Sequence, residues 1–346
     1  MSADGAPDPR GDAPDAPGAA ERSPRPPLIL HAALFLATFL TTTMSGAIHA
    51  HGGDIAPIND GLSYSVPLMA ILLCHELGHY FAARWHRVDA SLPFFIPLPP
   101  WFGLGTLGAV IQMRRATTDR KKLIDVGAAG PLAGLCVAIP VLLWGLAHSK
   151  VGPLPPVSML EGNSLLYAFL KHASKGLWLP SAHQDVNLHP TAFAGWVGLC
   201  ITMINLLPVG QLDGGHVATA YFGNRYNRFA RRLHASMPLV AVGIFFWVRH
   251  LVRLEMGPHF SEGLALSTAV PAAFPWLIWY ALVRVVRRMS GGINHPPVQP
   301  RPLPRSRKAL FWFMVIVFVS IFMPVLMREV RTGEAPPPDE TTAVNP

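Results

Sequence analysis

Two histidines and a glutamate with the spacing of a zinc-hydrolase site lie inside an apolar segment of this sequence. His75 and His79 are four residues apart, so a helix places both on one face, where they can bind one zinc ion together. Glu76 follows the first histidine, at the position where such sites keep their general base. Ionisable groups inside a membrane span are costly, and three of them between Val66 and Ala83 indicate a function. The pattern predicts metal-dependent hydrolysis within a bilayer.

A structural interpretation of the same five residues stays open at this point. Both histidines can be core residues bonded to backbone carbonyls, with Glu76 paired to Arg84 at the helix end. The flanking residues are Leu-Leu-Cys and Tyr-Phe-Ala-Ala, so no local group other than a cation would neutralise the cluster. Burying such groups without a partner is unfavourable, which favours the metal site.

A second motif supplies the ligand that the first one lacks. It runs Asn-Leu-Leu-Pro-Val-Gly-Gln-Leu-Asp-Gly-Gly-His from Asn205 and follows the apolar stretch Thr191–Leu207. Pro208 and Gly210 are expected to end the helix, because proline lacks a donor and glycine permits unusual dihedral angles. Irregular backbone at membrane depth is tolerated where protein buries it or where it lines a wet cavity. Asp213 would then project from the interrupted chain as the third protein ligand that a catalytic zinc ion usually has.

These motifs together resemble those of the site-2 protease family of intramembrane zinc metalloproteases. The first is His-Glu-x-x-His, and the second is Asn-x-x-Pro-x-x-x-Leu-Asp-Gly-Gly at the end of a later span. Two further stretches, Gly105–Ile111 and Asp125–Gly134, are similar to segments of the bacterial and chloroplast branches of that family. The resemblance extends over Val66–His216 and keeps the family's motif order.

The resemblance implies a role for each site residue. It implies that His75, His79 and Asp213 bind one Zn²⁺ ion and that Glu76 activates water. It also implies that Asn205 contacts the substrate or the developing oxyanion. The predicted catalytic residues are therefore Glu76 and Asn205, and the cofactor is zinc.

The composition predicts an all-α polytopic membrane protein. Hydrophobic residues make up 51% of the 346 residues and charged residues 14%. Apolar runs of roughly 20 residues, long enough to cross a bilayer, recur along the chain. About seven transmembrane helices are expected, at Leu28–Ile48, Ser63–Ala83, Leu123–Ala147, Thr191–Leu207, Met237–Val248, Leu264–Val283 and Ala309–Met327.

The same patterns divide the chain into regions around a protease-like core. We expect a disordered cytoplasmic tail at 1–27, the first transmembrane helix and an outer loop at 28–62, the intramembrane metalloprotease core at 63–222, additional transmembrane helices at 223–327 and a disordered extracytoplasmic tail at 328–346. Within the core, 91–113 is expected to form a re-entrant loop or β-hairpin beside the zinc site. The segment 148–190 is expected to be an extracytoplasmic insertion.

The prolines between Ser91 and Pro100 exclude a helix from the segment 91–113, although it is strongly apolar. A strand is predicted over Ala109–Met113, and two alternative roles for it are weighted equally. Either it pairs with the backbone of an unwound substrate by strand addition, or it merely closes a hairpin.

Basic residues predict the orientation through the positive-inside rule. With the N-terminus placed in the cytoplasm, 21 of the 28 lysines and arginines fall in cytoplasmic segments and 7 on the opposite side. The predicted location is the cell (inner) membrane, with the active site towards the cytoplasmic side. The net charge of +8 then reflects topology and anionic lipid, so no nucleic-acid partner is expected.

Several remaining side chains are assigned to packing. Gly130 and Gly134 have the small-xxx-small spacing that lets helices approach closely. Cys74, Cys136 and Cys200 lie within predicted spans, and no disulfide is inferred. Five histidines are treated as ordinary polar residues: His216, His234, His250, His259 and His295.

The predicted function is intramembrane zinc-dependent hydrolysis of peptide bonds within or near transmembrane helices, in regulated intramembrane proteolysis. The partners are a transmembrane protein substrate and the lipid bilayer, and the sequence leaves the oligomeric state open. Two alternatives are kept. One is a catalytically inactive zinc-binding membrane chaperone, and the other is a zinc transporter, although no inverted repeat is visible.

Overall fold

The computed structural model describes residues 26–50, 58–113, 117–155, 157–181, 184–289 and 295–331. Within these ranges the α-helices are α1 (Leu28–Ala50), α2 (Ile58–Trp85), α3 (Arg120–His148), α4 (Leu165–Lys175), α5 (Pro190–Asn205), α6 (Asp213–Phe222), α7 (Tyr226–Met256), α8 (Glu262–Met289) and α9 (Arg305–Ile321). The strands are β1 (Phe94–Pro97), β2 (Thr106–Val110), β3 (Lys150–Pro153), β4 (Val157–Glu161), β5 (Gln184–Asn187) and β6 (Met327–Arg331). Helices dominate, as the sequence predicts.

The core consists of α2, α3 and α5, with α1 and α6 packed against it. Glycines allow these helices to approach closely, as is typical where lipid provides no hydrophobic driving force between them. A Cβ atom on Gly78 of α2 would lie 2.5 Å from the carbonyl oxygen of Ala129 in α3. A Cβ atom on Gly145 of α3 would lie 2.3 Å from the backbone nitrogen of Ala192 in α5. Nearly every residue of α5 is buried, so this helix forms the centre of the bundle.

Five helical stretches are long and apolar enough to cross a membrane, among the residues that the structure describes. They are Leu28–Ala50, Ile58–Trp85, Arg120–His148, Asp213–Met256 and Glu262–Val285. This confirms a polytopic membrane protein, and the exact count of seven stays a prediction. The two helices at the other predicted spans are shorter, because α5 has 16 residues and α9 has 17.

The helix at the fifth predicted span is much longer than its apolar run. The run Met237–Val248 lies inside α7, which has 31 residues and begins at Tyr226. Basic residues at the start of α7 conceal this extension from a hydropathy pattern. Short 3₁₀ turns before and after it connect α7 to α6 and α8.

The segment 91–113 contains a β-hairpin that lies against α1 and α2. Strands β1 and β2 are antiparallel, with Phe94 opposite Val110 and Phe95 opposite Ala109. The hydroxyl group of Thr41 in α1 donates to the carbonyl oxygen of Gly105 at 2.7 Å, which holds the turn end of the hairpin on α1. The segment 91–113 therefore forms the β-hairpin that was one of its two predicted structures. Its re-entry into the bilayer stays a prediction.

The segment 148–190 folds into small sheets around α4, which the sequence pattern does not predict. Strands β3 and β5 pair with each other, and β4 pairs with β6 along Val157–Glu161. Strand β6 thus extends four residues into the region predicted as a disordered tail from 328, because pairing with β4 satisfies its backbone groups. Residues 332–346 of that tail, and 1–25 of the N-terminal tail, lie outside the described residues.

Candidate metal centre

Helix α2 carries His75, Glu76 and His79 into the interior of the bundle. The three side chains are buried, with relative exposures of 3%, 4% and 5%. A helical turn places the two histidines on the same face, as the four-residue spacing predicts. Their ring centroids lie 5.0 Å apart.

Asp213 enters the same interior from a break between α5 and α6. Helix α5 ends at Asn205 and α6 begins at Asp213, so the predicted break at Pro208 and Gly210 is present. Gly210 has a φ of +61°, in the left-handed region that glycine adopts without strain. The carboxylate lies in the first turn of α6, where the helix dipole favours negative charge.

The two glycines after Asp213 allow this break to fold tightly. A Cβ atom on Gly214 would lie 2.0 Å from the carbonyl oxygen of Leu206. A Cβ atom on Gly215 would lie 2.4 Å from the carbonyl oxygen of Gly210. Larger residues at either position would displace α6 and therefore the carboxylate at its start.

The predicted ligand atoms of the three residues form a compact triangle. Oδ2 of Asp213 lies 3.1 Å from Nε2 of His75 and 3.1 Å from Nε2 of His79, and the two Nε2 atoms are 3.2 Å apart. Ligand atoms of a tetrahedral zinc ion with bonds of about 2.0–2.1 Å are separated by about 3.3–3.4 Å. The triangle therefore fits one zinc ion with little adjustment. No other group of three His, Cys, Asp or Glu side chains in the described ranges is arranged for a metal ion.

A hydrogen bond from α3 fixes the orientation of one histidine. Nδ1 of His79 lies 2.8 Å from the carbonyl oxygen of Val126, so it carries the proton and donates it there. Nε2 of His79 is then unprotonated and directs its lone pair at the triangle. Metal-binding histidines usually have such a partner on the other ring nitrogen, which supports the chemistry of this donor set.

Two glycines of α3 border the imidazole rings. From the sequence, these glycines are predicted to serve only helix packing. A Cβ atom on Gly130 would lie 2.1 Å from Nε2 of His79. A Cβ atom on Gly134 would lie 3.1 Å from Nδ1 of His75. The four-residue glycine spacing thus matches the four-residue histidine spacing on the facing helix. That correspondence is the signal in the sequence that points to this role.

The predicted catalytic residues lie on either side of the triangle. The backbone amide of Ile111, next to the end of β2, hydrogen-bonds to the Glu76 carboxyl group. The side-chain nitrogen of Asn205 lies 3.5 Å from Nε2 of His75. The structure therefore brings together all five predicted site residues, and it joins the hairpin to Glu76.

Contacts from distant segments hold α6 in place, and the sequence gives no sign of them. Arg120 at the start of α3 donates to the carbonyl oxygens of Ala220 and Tyr221, which lie at the end of α6. His216, one turn after Asp213, has its Nδ1 atom 3.0 Å from Nε2 of His295. His216 and His295 thus pair across 79 positions, although neither has a partner at a recognisable spacing.

An ion cluster ties together the ends of three helices. Asp125 in α3 accepts two hydrogen bonds from Arg307 of α9, at 3.0 and 2.9 Å. Nε2 of His86, just after α2, lies 3.0 Å from the same carboxylate. A bidentate arginine–carboxylate pair is geometrically specific, so it fixes α9 relative to α3, and the His86 contact ties the end of α2 to the same carboxylate.

Comparison with known proteins agrees with this site. Peptidase family M50 matches residues 63–248, which is more than half of the chain and includes all three ligand residues. The chloroplastic "probable zinc metalloprotease EGY1" of Arabidopsis thaliana is 38% identical over 287 residues, covering 79% of this chain and 44% of that protein. The protein of the same name in Oryza sativa subsp. japonica is 39% identical over 171 residues, covering 48% and 29%.

A third relative extends the same pattern. The chloroplastic "probable zinc metalloprotease EGY2" of Arabidopsis thaliana is 31% identical over 211 residues, covering 58% of this chain and 36% of that protein. The chain thus spans less than half the length of these curated relatives. No solved structure matches it. The match to the family over residues 63–248, with the clustered histidines and aspartate inside it, shows that this chain belongs to peptidase family M50, in agreement with its resemblance to the site-2 proteases.

Proposed function

We propose that this chain is an intramembrane zinc metalloprotease that hydrolyses peptide bonds within or near transmembrane helices of membrane-bound substrates. The observation that carries this proposal is the triangle of His75, His79 and Asp213 with buried Glu76 beside it. In this proposal the three residues bind one zinc ion. The ion supplies Lewis-acid chemistry that makes water nucleophilic near neutral pH and polarises a carbonyl group.

The side chains around the triangle have complementary roles in hydrolysis. Glu76 accepts a proton from the attacking water, whose oxygen forms a bond to the carbonyl carbon of the substrate. The side-chain amide of Asn205 donates a hydrogen bond to the oxygen on which negative charge develops. Glu76 then passes its proton to the leaving nitrogen as the carbon–nitrogen bond breaks. The amide of Ile111 holds the Glu76 carboxyl group in position for both transfers.

The hairpin offers a place for an unwound substrate segment. Among the described residues β2 pairs only with β1, which leaves its other edge without a partner strand. Leu107 and Val110 on β2 are exposed, and the chain next to Val110 reaches Glu76 through Ile111. A substrate strand added to this edge would present its backbone beside the catalytic residues. Strand addition also explains how a helical substrate gains the extended form that hydrolysis requires.

The proposed location is the cell (inner) membrane, with several spans, a cytoplasmic N-terminus and the site towards the cytoplasmic side. The distribution of lysine and arginine supports this orientation. The Glu76-bearing helix and the helix that ends at Asn205 then run in the same direction. Their C-terminal halves carry the site residues, which is the same end of the bundle in both cases.

Removal of zinc is expected to abolish cleavage, and this tests the proposal directly. The full chain is reconstituted in proteoliposomes with a tagged transmembrane protein cleaved in cells that contain this chain. Dialysis against a chelator should stop cleavage, and stoichiometric zinc should restore it, because the triangle has no substitute for the ion. Cleavage that persists in zinc-free protein would contradict a metalloprotease. Zinc uptake into the liposome lumen without cleavage would support a transporter instead.

Asn205→Ala is expected to reduce kcat by about 10²-fold while zinc content stays unchanged. Asn205 lies beside His75 but is not among the triangle residues, so its loss removes a donor to the developing charge and leaves the ion bound. Steady-state kinetics with metal analysis measure both quantities. Loss of zinc in this variant would assign Asn205 a structural role at His75 instead.

A further inference from the structure

A cavity of about 490 Å³ lies at the end of the bundle opposite the histidines. Its wall includes Tyr64 from the first half of α2, Phe193 near the start of α5 and residues of β3, β4 and β5. The volume is within the usual range for ligand sites. Its lining combines apolar side chains with two acidic residues, Glu161 and Asp185.

A buried charge cluster forms the acidic wall of this cavity. Lys171 is fully buried, and its Nζ atom lies 2.6 Å from Oε1 of Glu161 and 3.3 Å from Oδ1 of Asp185. The Tyr167 hydroxyl group donates to Oε1 of Glu161 at 2.8 Å. Burial, with the adjacent Glu161 carboxylate, raises the pKa of Tyr167 well above its usual value, so this group stays neutral. One lysine therefore faces two carboxylates, and the formal charge of the cluster is −1.

One carboxylate oxygen of this cluster has no hydrogen-bond partner among the residues that the structure describes. Asp185 has a relative exposure of 5%, and its Oδ2 atom has no hydrogen-bond partner in the described part of the chain. A buried carboxylate oxygen without a donor is unfavourable, because it has lost its hydration and gained nothing in return. A donor that enters the cavity would remove this cost.

We infer that the cavity binds a cationic group of a peptide, an ammonium or guanidinium, beside Asp185. The inference rests on the proposed function, since it identifies a basic residue of the substrate as the part held at this end. A metal ion is not favoured here, because Glu161 and Asp185 belong to no metal-binding group among the described residues and Lys171 lies between them. The apolar lining suits the methylene chain of a lysine or arginine.

The position of the cavity sets a distance between this anchor and the cleaved bond. Tyr64 and His75 lie on the same helix, and their separation of eleven residues corresponds to about 16 Å along its axis. Phe193 and Asn205 on α5 are separated by about 18 Å on the same basis. An extended peptide covers this distance with about five residues. The geometry thus favours a basic residue about five extended residues from the scissile bond.

Peptide binding to the full chain tests the inference without any cleavage. The Glu76→Gln variant in nanodiscs is titrated with a short fluorescent peptide that is acetylated, amidated and contains one lysine. Its twin contains norleucine, which keeps the methylene chain and lacks the charge. We expect the lysine peptide to bind about tenfold more tightly or better, as fluorescence anisotropy measures. Equal affinity of the two peptides for the protein would overturn the inference.

Substitutions locate the binding to the cavity. Asp185→Asn is expected to abolish the preference for lysine, whereas Asp89→Asn, which removes an exposed carboxylate, should retain it. Gly152→Leu provides a second variant in case Asp185→Asn does not fold. Gly152 lines the cavity and a Cβ atom there meets nothing within 4 Å, so leucine should fill the space and weaken both peptides. An unchanged lysine preference in folded Asp185→Asn, or unchanged affinity for both peptides in folded Gly152→Leu, would contradict this location.

Kinetics separate this inference from the proposed function. In a cleaved transmembrane substrate, lysine replaced by norleucine at the anchor position should raise KM about tenfold and leave kcat unchanged, because binding away from the reacting atoms is lost. Cleavage with an unchanged KM would overturn the inference and leave the protease assignment intact. Lysine-dependent binding with no cleavage of any substrate would overturn the protease assignment alone.

Discussion

Glu76→Gln is expected to lower the rate of peptide cleavage by about 10²- to 10⁴-fold while the protein keeps one equivalent of zinc. Glutamine has nearly the same shape and can still accept the hydrogen bond from the Ile111 amide. It cannot accept a proton from water, so the base is lost and the donor triangle is not. Single-turnover cleavage of a transmembrane substrate and metal analysis of the same sample measure the two effects.

The matched control for this variant is Glu262→Gln. Glu262 has an exposed side chain, pairs with Arg249 and is not one of the candidate site residues. The same chemical change there should leave cleavage and zinc content at the wild-type level. Substantial cleavage by Glu76→Gln with zinc bound would show that another group acts as the base. Loss of zinc from Glu76→Gln would instead give this residue a structural role.

The sequence predicts the local geometry of each half of the candidate site, because that information lies within one short segment. The spacing of His75 and His79 follows directly from the helix repeat, and the break before Asp213 follows from Pro208 and Gly210. Each pattern specifies the geometry within one short segment. The structure then brings the two segments into contact, 138 positions apart, with separations of 3.1 Å. Before the fold was known, these segments were joined by the third protein ligand that a catalytic zinc ion needs and by the resemblance to a family.

The features that escaped prediction depend on contacts between distant segments. The pairing of His216 with His295 and the bonds from Arg120 to the end of α6 involve no recognisable spacing. The pairing of β4 with β6 also joins residues separated by about half of the chain. Hydropathy placed the apolar part of α7 but missed its basic first turns, since a helix boundary depends on capping and packing as well as on apolar character. A single sequence does not specify such contacts.

The acidic cavity is another feature that a single sequence does not reveal. Lys171, Glu161 and Asp185 look like surface charges in the sequence, because lysine and glutamate are rarely fully buried unless paired. The small sheets around α4 bury them together, and one carboxylate oxygen has no partner within the described ranges. Burial therefore turns three apparent surface charges into the cationic site that we propose. The zinc triangle and this cavity then form two separate polar sites at opposite ends of α2 and α5.

Gly130→Ala is expected to lower zinc affinity by about 100-fold or more. The rate of cleavage should fall in proportion to the loss of bound zinc. The new methyl group would lie 2.1 Å from Nε2 of His79, well inside contact distance. The imidazole cannot rotate away without losing its hydrogen bond to Val126, so either this bond or the donor triangle is lost. Equilibrium dialysis against a zinc buffer measures the affinity. Gly134→Ala should have a smaller effect, since its methyl group would lie 3.1 Å from His75.

Gly243→Ala is the matched control, because Gly243 is an exposed glycine in the interior of helix α7 with nothing within 4 Å of the added carbon. Alanine in place of glycine favours a helix by about 1 kcal/mol in both variants, so a difference between them reports the collision and not helix propensity. The control should bind zinc and cleave normally, with a melting temperature that is unchanged or raised. Normal zinc affinity in Gly130→Ala would mean that α3 can move away from His79 without disturbing the donor triangle. The close approach of α3 to His79 would then be packing alone, as the sequence first indicates.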